Sequence, residues 1–288
     1  MFPRISPMPQ DPSALRLSRY PLFFVPLLLL ALLPGCDRGT NPATPDAQSP
    51  VDSVEAPASA VSLKDVVETR PDYIVGISFP QSAVKYPGLA QALKAYADSA
   101  QAALMQAVAG LQGQKPTAPY DLSLSFTGLV DTPDVVAVAA DGSSYTGGAH
   151  GNPLVARFVW LPKTQQMLTA QALFPAANAW QVIADASREQ LATTLSQRLD
   201  ADGLEGAERA QQLQNSSRMI DDGTKPNAEN FSQFEPVMDV GGRIRALRFV
   251  FPPYQVGPYV DGTRTVDIPA RMLLPILAPE YKALFIGG

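Results

Sequence analysis

Apolar and polar positions begin to alternate at Tyr73. Tyr73, Val75, Ile77 and Phe79 interleave with Ile74, Gly76 and Ser78, the two-residue period of a strand with one buried face, and Pro80 closes it. From Pro87 the period changes. Leu89, Leu93, Tyr96, Ala100, Leu104, Ala107 and Leu111 recur at steps of three and four. That predicts an amphipathic helix from Pro87 to about Leu111, stopped by Gly110 and Gly113. Three strand signals follow. Leu122, Leu124 and Phe126 alternate with polar residues, Val135–Ala140 is β-branched and small, and Leu154–Trp160 ends at the turn Pro162-Lys163-Thr164. Trp180, Ile183, Ser187, Leu191, Leu195 and Leu199 mark a second long helix. A charged, Asn- and Gly-rich stretch then runs to about Asn227. Phe231–Met238 and Arg243–Phe251 read as a hairpin around Asp239-Val240-Gly241-Gly242, and a short strand, Thr263–Ile268, precedes apolar C-terminal pieces. Helical and strand signals fall in blocks, and the strand connections are short. This pattern predicts an α+β fold, an antiparallel sheet with two long amphipathic helices packed on it.

The N-terminal pattern is of another kind. Arg4, Arg16 and Arg19 precede the apolar run PLFFVPLLLLALLPG, Pro21 to Gly35, which reads as an export signal. The run is short for a bilayer span, and Pro21, Pro26 and Pro34 interrupt it. Leu33-Pro34-Gly35-Cys36 resembles a bacterial lipobox, with an unusual proline at its second position, two residues before the cysteine. The resemblance implies cleavage before Cys36 and acylation of its sulfur and new amino group, hence a lipid anchor in the bacterial cell envelope, on the periplasmic side in a diderm. Asp37 to Ala60 is rich in Pro, Ala, Ser and Asp without any apolar period and reads as a disordered stalk.

Composition narrows the chemistry. The 288 residues, 46% of them hydrophobic, suffice for a large core. Cys36 is the only cysteine, so neither a disulfide nor a thiolate metal site can form within the chain. The net charge is −5; three arginines and Asp11 ahead of Cys36 carry +2, leaving −7 on the rest. An acidic body disfavours nucleic acid as a partner and suits a basic one. No cofactor or metal is expected, because the sequence has no Gly-rich phosphate loop, no zinc-type spacing and a single histidine.

That histidine, His150, lies in SSYTGGAHGNP, Ser143 to Pro153. A triad would draw on Ser143, Ser144 or Thr146 and Asp141, but sequence neighbours on a strand face opposite ways. Gly147 and Gly148 supply positive φ or a bulge that lets Tyr145 and His150 project, with His150 locking the corner on a carbonyl or meeting a partner. The second candidate is FPPYQVGPYVDG, Phe251 to Gly262, where prolines stiffen a loop bearing Tyr254 and Tyr259. These tyrosines either cap the core or form a binding hot spot. Arg243, Arg245 and Arg248 read as solvated or paired.

Tyr145-Thr146-Gly147-Gly148-Ala149-His150 resembles the YTGGAH signature of RsiV-like extracytoplasmic domains. Phe249 to Tyr259, with Gly262 and Ile268-Pro269 after it, resembles the F-x-F-x-x-Y-x-x-x-P-Y run of the same domain. Tyr73 to Leu111 resembles the PdaC-type module that precedes it. The resemblance implies a tethered cell-surface binding domain, with lysozyme-like muramidases or peptidoglycan as ligand classes. It divides the chain into a signal peptide (1–35), lipidated Cys36 with its stalk (36–60), a PdaC-like subdomain (61–146) and an RsiV-like subdomain (147–288). About twenty residues precede the apolar run and no deacetylase histidines are present, so neither sigma-factor control nor deacetylation is expected to carry over. The expected binding residues are Tyr145, Gly147, Gly148, His150, Tyr254, Pro258 and Tyr259, with Tyr259, held at a turn by Gly257 and Pro258, as the favoured aromatic anchor and both segments at one end of the sheet. The competing expectations are an envelope hydrolase acting near His150 and a structural envelope protein.

Overall fold

In a computed structural model of the chain, residues 61–288 are described; Cys36 and the segments expected to be a signal peptide and a stalk lie outside the described residues. Six strands form the first sheet in sequence order: β1 (Val66–Thr69), β2 (Tyr73–Ser78), β3 (Tyr120–Asp131), β4 (Val136–Tyr145), β5 (Asn152–Leu161) and β6 (Gln166–Met167). Helix α1 (Pro87–Gly110) connects β2 to β3. This makes the sheet mixed rather than antiparallel as expected. A tight turn would reverse the chain, whereas the long helical crossover returns it to the same edge, so β2 and β3 run parallel. The other pairings are antiparallel.

α1 buries Leu89, Ala90, Leu93, Ala97 and Leu104 against Val75, Ile77, Leu122, Leu124, Phe126, Val138 and Ala140 on one face of this sheet. The opposite face offers Val135, Ala137, Val159 and Leu161 to a second core. Val135–Ala140 is apolar throughout because both of its faces are covered.

The second core is built from α2 (Ala170–Leu173), α3 (Ala177–Ala201), α4 (Gly206–Gly223) and α5 (Ala270–Leu273). Its sheet is antiparallel: β7 (Phe234–Met238), β8 (Ile244–Phe251) and β9 (Arg264–Pro269). All six residues of the α3 stripe are buried. α3 lies against β9 and α4, so the two long helices serve different sheets and do not share one as expected. The fold is α+β, with a mixed six-stranded and an antiparallel three-stranded sheet. The 146/147 boundary falls in the β4–β5 connection, and those strands pair from Val136↔Trp160 to Ser144↔Asn152. The described residues all fall in one compact unit.

Charge ties the sheets together. Arg157 on β5, 9% exposed in its side chain, donates to Glu235 of β7, 15% exposed, at 2.9 Å. The Arg157 N–H also donates to Gln233 Oε1 at 2.7 Å. Arg157 reaches Asp141 on β4 at 3.0 Å, and Arg248 on β8 lies 3.7 Å from Glu235 and 2.7 Å from Asp267 of β9. Among the described residues no helix is long and apolar enough to cross a membrane.

Candidate functional site

Antiparallel β4 and β5 are joined by residues 146–151. Gly147 and Gly148 both hold positive φ, 99° and 100°, where a Cβ would be strained. They therefore act in the hairpin connection, not as a bulge within a strand. The Tyr145 hydroxyl donates to the Gly148 carbonyl at 3.2 Å and braces the turn. His150 is thereby held outward and exposed. Its Nδ1 lies 3.0 Å from the Gly151 carbonyl oxygen, which only accepts, so Nδ1 carries the proton. Nε2 lies 2.7 Å from the Tyr254 hydroxyl and, in the tautomer protonated at Nδ1 alone, accepts its hydrogen bond.

Tyr254 belongs to the connection between β8 and β9. Its φ is 75°, a left-handed conformation uncommon for a bulky residue, and its N–H donates to Gly257 O at 3.0 Å. Gln255 holds the loop from below by donating its side-chain amide to the carbonyls of Gly223 (3.0 Å) and Asn230 (2.8 Å). At Gly223, the last residue of α4, a Cβ would stand 2.0 Å from the Gln255 carbonyl oxygen. Only glycine lets the helix end meet the loop backbone there. Pro258, with φ −65°, starts a single 3₁₀ turn over Tyr259–Asp261. Asp261 closes the turn through ion pairs with Arg198 of α3 (2.6 Å) and Arg264 of β9 (3.2 Å). Burial works against its carboxylate, but the hydrogen bonds from the two guanidiniums outweigh that and hold the carboxyl below its ordinary range.

The two segments meet. The His150 ring stacks on Tyr259 with centroids 4.1 Å apart and planes 14° from parallel, and Tyr254 leans over both at 5.9 and 5.7 Å. The result is a three-ring platform at neighbouring hairpin connections of the two sheets. Tyr145, Gly147, Gly148 and Pro258 support it and do not form its face. Tyr254 is the outer ring, 51% exposed, and Tyr259, the anchor favoured from the sequence, is half-buried under His150. The hydrogen bonds of His150 go to Tyr254 and Gly151, so Ser143, Ser144 and Thr146 are not paired with it as a nucleophile would be. Among the described residues no group of His, Cys, Asp and Glu could hold a metal ion. Sequence reasoning missed the supports Gln255, Arg198 and Asp261; Gln255 meets Gly223 and Asn230, and Arg198 meets Asp261, across long stretches of chain. Arg248 is paired, as expected, and Arg243 donates to the carbonyls of Ala283 and Phe285.

Beside the platform runs a groove of about 340 Å³. Asp141 and Ser143 of β4 and Pro153 and Val155 of β5 form one wall, and Tyr259 and Thr263 the other. These β4 and β5 residues share the face that carries Ala137 and Val159 further along, so strand alternation aims them at the second sheet.

No curated protein matches this chain. Among solved structures it is similar to a DUF3298-family member from Bacteroides fragilis NCTC 9343, at 15% identity and a TM-score of 0.46, over 78% of this chain and 96% of that one. It is also similar to a DUF3298-family protein from Pseudomonas aeruginosa PAO1, at 17% identity and a TM-score of 0.49, over 77% and 95%. Residues 172–271, from α2 to α5 and including Tyr254 and Tyr259 but not His150, match the family model described as "Protein of unknown function (DUF3298)".

Proposed function

We propose that this chain is a ligand-binding module of the bacterial cell envelope, tethered through acylated Cys36, and that its ligand docks on the platform of His150, Tyr254 and Tyr259. The observation that carries this reading is the braced cluster of three rings, His150 stacked on Tyr259 with Tyr254 tilted over both, of which His150 and Tyr254 are exposed. Large rigid rings that keep one face in solvent lose little entropy on binding and bury much area, which suits a hot spot. An ordinary core would have drawn these rings inward, yet Tyr254 stands out on a backbone conformation of intrinsic strain. The ligand classes are a lysozyme-like muramidase, in keeping with the resemblance to RsiV-like domains and the charge of −7, or peptidoglycan.

The test is a titration of the purified chain with muramidases and with solubilised cell-wall fragments, wild type beside Tyr254→Gly. One of them is expected to bind saturably, and the variant to lose about 2 kcal/mol, roughly thirtyfold in affinity. Equal affinity in both proteins removes the platform from the binding site. Hydrolysis of the fragments that His150→Ala abolishes with the fold intact would replace the binding module with a hydrolase. For the tether, fatty-acid labelling of cells is expected to mark the wild type and not Cys36→Ser; equal labelling of the two rules the anchor out.

A further inference from the structure

The groove beside the platform has a sign. The side chains Asp141, Arg157, Glu235, Arg248 and Asp267 form one ladder across both sheets, three carboxylates to two guanidiniums. The ladder ends in the groove on Asp141, which is 53% exposed in its side chain. Its Oδ1 accepts from Arg157; among the described residues its Oδ2 accepts no hydrogen bond. No lysine or arginine lines the groove, and the other polar side chains there are the hydroxyls of Ser143, Thr263 and Tyr259. Tyr259 supplies an aromatic wall, stacked on its neighbour His150 and fixed in place by the Asp261 turn.

We infer that this groove takes a cationic side chain, a guanidinium or ammonium, presented by a protein partner that lies across the platform. Three features converge on a cation. The free carboxylate oxygen gives it a charged hydrogen bond. The ring of Tyr259 attracts positive charge by its quadrupole. The half-exposed Asp141 carboxylate, in a groove lined by no lysine or arginine, disfavours phosphate or carboxylate ligands. A neutral sugar could use the hydroxyls and the ring, but it would leave the carboxylate's charge without a counterpart. The volume suits one long side chain rather than a folded segment. The inference rests on the binding-module reading and adds to it the chemistry of the partner.

The only histidine in the chain gives a direct readout, because its ring stacks on the groove wall. The Hε1 resonance of His150 is followed by NMR in the full chain. The probes are N-acetyl-arginine amide, its neutral isostere N-acetyl-citrulline amide, and an N-acetylglucosamine trimer. The arginine probe is expected to shift the resonance saturably, with affinity at least about tenfold above citrulline and falling as salt rises. Asp141→Asn is expected to erase that preference. Because Asp141 also braces Arg157, a second variant, Ser143→Lys, leaves the ladder whole and fills the groove with its own ammonium; it too is expected to abolish the shift. Equal response to arginine and citrulline, or an arginine response unchanged in both variants, overturns the inference. A shift by the sugar alone overturns it in favour of a glycan and leaves the binding module standing. Failure of all three probes overturns the cation site, and the fate of the platform is then decided separately by the Tyr254→Gly titration.

Discussion

Tyr254 carries two opposed effects in one residue. Its φ of 75° costs on the order of 1 kcal/mol for a non-glycine side chain, and its hydroxyl bond to His150 returns a similar amount. Tyr254→Gly removes both, so its melting temperature is expected to stay within about 2 °C of wild type while ligand affinity falls. Alanine would keep the strain and lose the bond, which is why glycine is the cleaner substitution. A clear loss of stability in Tyr254→Gly, measured by calorimetry, would show that the ring supports the fold and not a ligand. Both segments of the platform were legible in the sequence, because glycine pairs and proline-held tyrosines are local signals. They were also expected at one end of a single sheet; that they sit on connections of two sheets, with their rings in contact, was not legible. His150 and Tyr254 are 104 positions apart, and only the adjacency of the β4–β5 and β8–β9 connections brings them together. The exposure order of the tyrosines was also illegible, since it follows from the left-handed backbone at Tyr254, a conformation its side chain does not announce.

Among the elements, those with a regular apolar period were legible and those without one were not. The α1 and α3 stripes lie where three-and-four spacing put them, and their leucines are buried except Leu111, which is half-buried just past the end of α1. Leu93→Asp and Leu195→Asp are each expected to cost several kcal/mol by burying an unpaired carboxylate. If denaturant melts show either within 1 kcal/mol of wild type, that stripe is not core. Helix α4 escaped because it buries only Ser216, Ile220 and Gly223, too narrow a stripe to show a period. Only its run of Ala, Glu, Arg, Gln and Leu from Ala207 to Leu213 signals a helix, through propensity and not through a period. Strand β1 is four residues long with no fully buried position, and four residues do not establish a period. The 3₁₀ turn of Tyr259–Asp261 is held by charge rather than by apolar burial. The Asp261 carboxyl sits below its ordinary range in the folded protein, so its contribution to stability is complete above the unfolded value and is lost as pH falls through the folded one. The stability gap between wild type and Asp261→Asn is therefore expected to be full at about pH 6 and to shrink toward about pH 3. Thermal melts across that range check it, and a gap that widens on acidification would contradict the sign.

At the scale of the whole molecule, the sequence offered no means of joining the two sheets, because the join is made by a shared apolar core and by charges, between residues far apart in the chain. Arg157 and Glu235 are separated by 78 positions, and neither belongs to an apolar pattern. A strand period shows that a side chain faces inward but not which partner awaits it. The apolar period also misled here, since it suggested one sheet beneath two helices, whereas β4 and β5 are covered on both faces and each long helix has its own sheet. Glu235 stands between two guanidiniums and is nearly enclosed. Glu235→Gln keeps its shape and removes its charge, leaving Arg157 with Asp141 and the carbonyls of Ala140 and Ala156. Breaking a buried pair by one partner costs about 3 kcal/mol or more, and these remaining acceptors place the expected loss near the lower end of that range. Arg157→Met alone is expected to cost a similar amount, because it strands the Glu235 carboxylate with only the more distant Arg248. The double variant leaves no such charge, so it is expected to be markedly less destabilised than the sum of the two single changes. Equilibrium denaturation of all four proteins measures that coupling. Strict additivity would mean that the pair does not join the sheets, and that Gln233 and the apolar contacts alone hold β7 against β5.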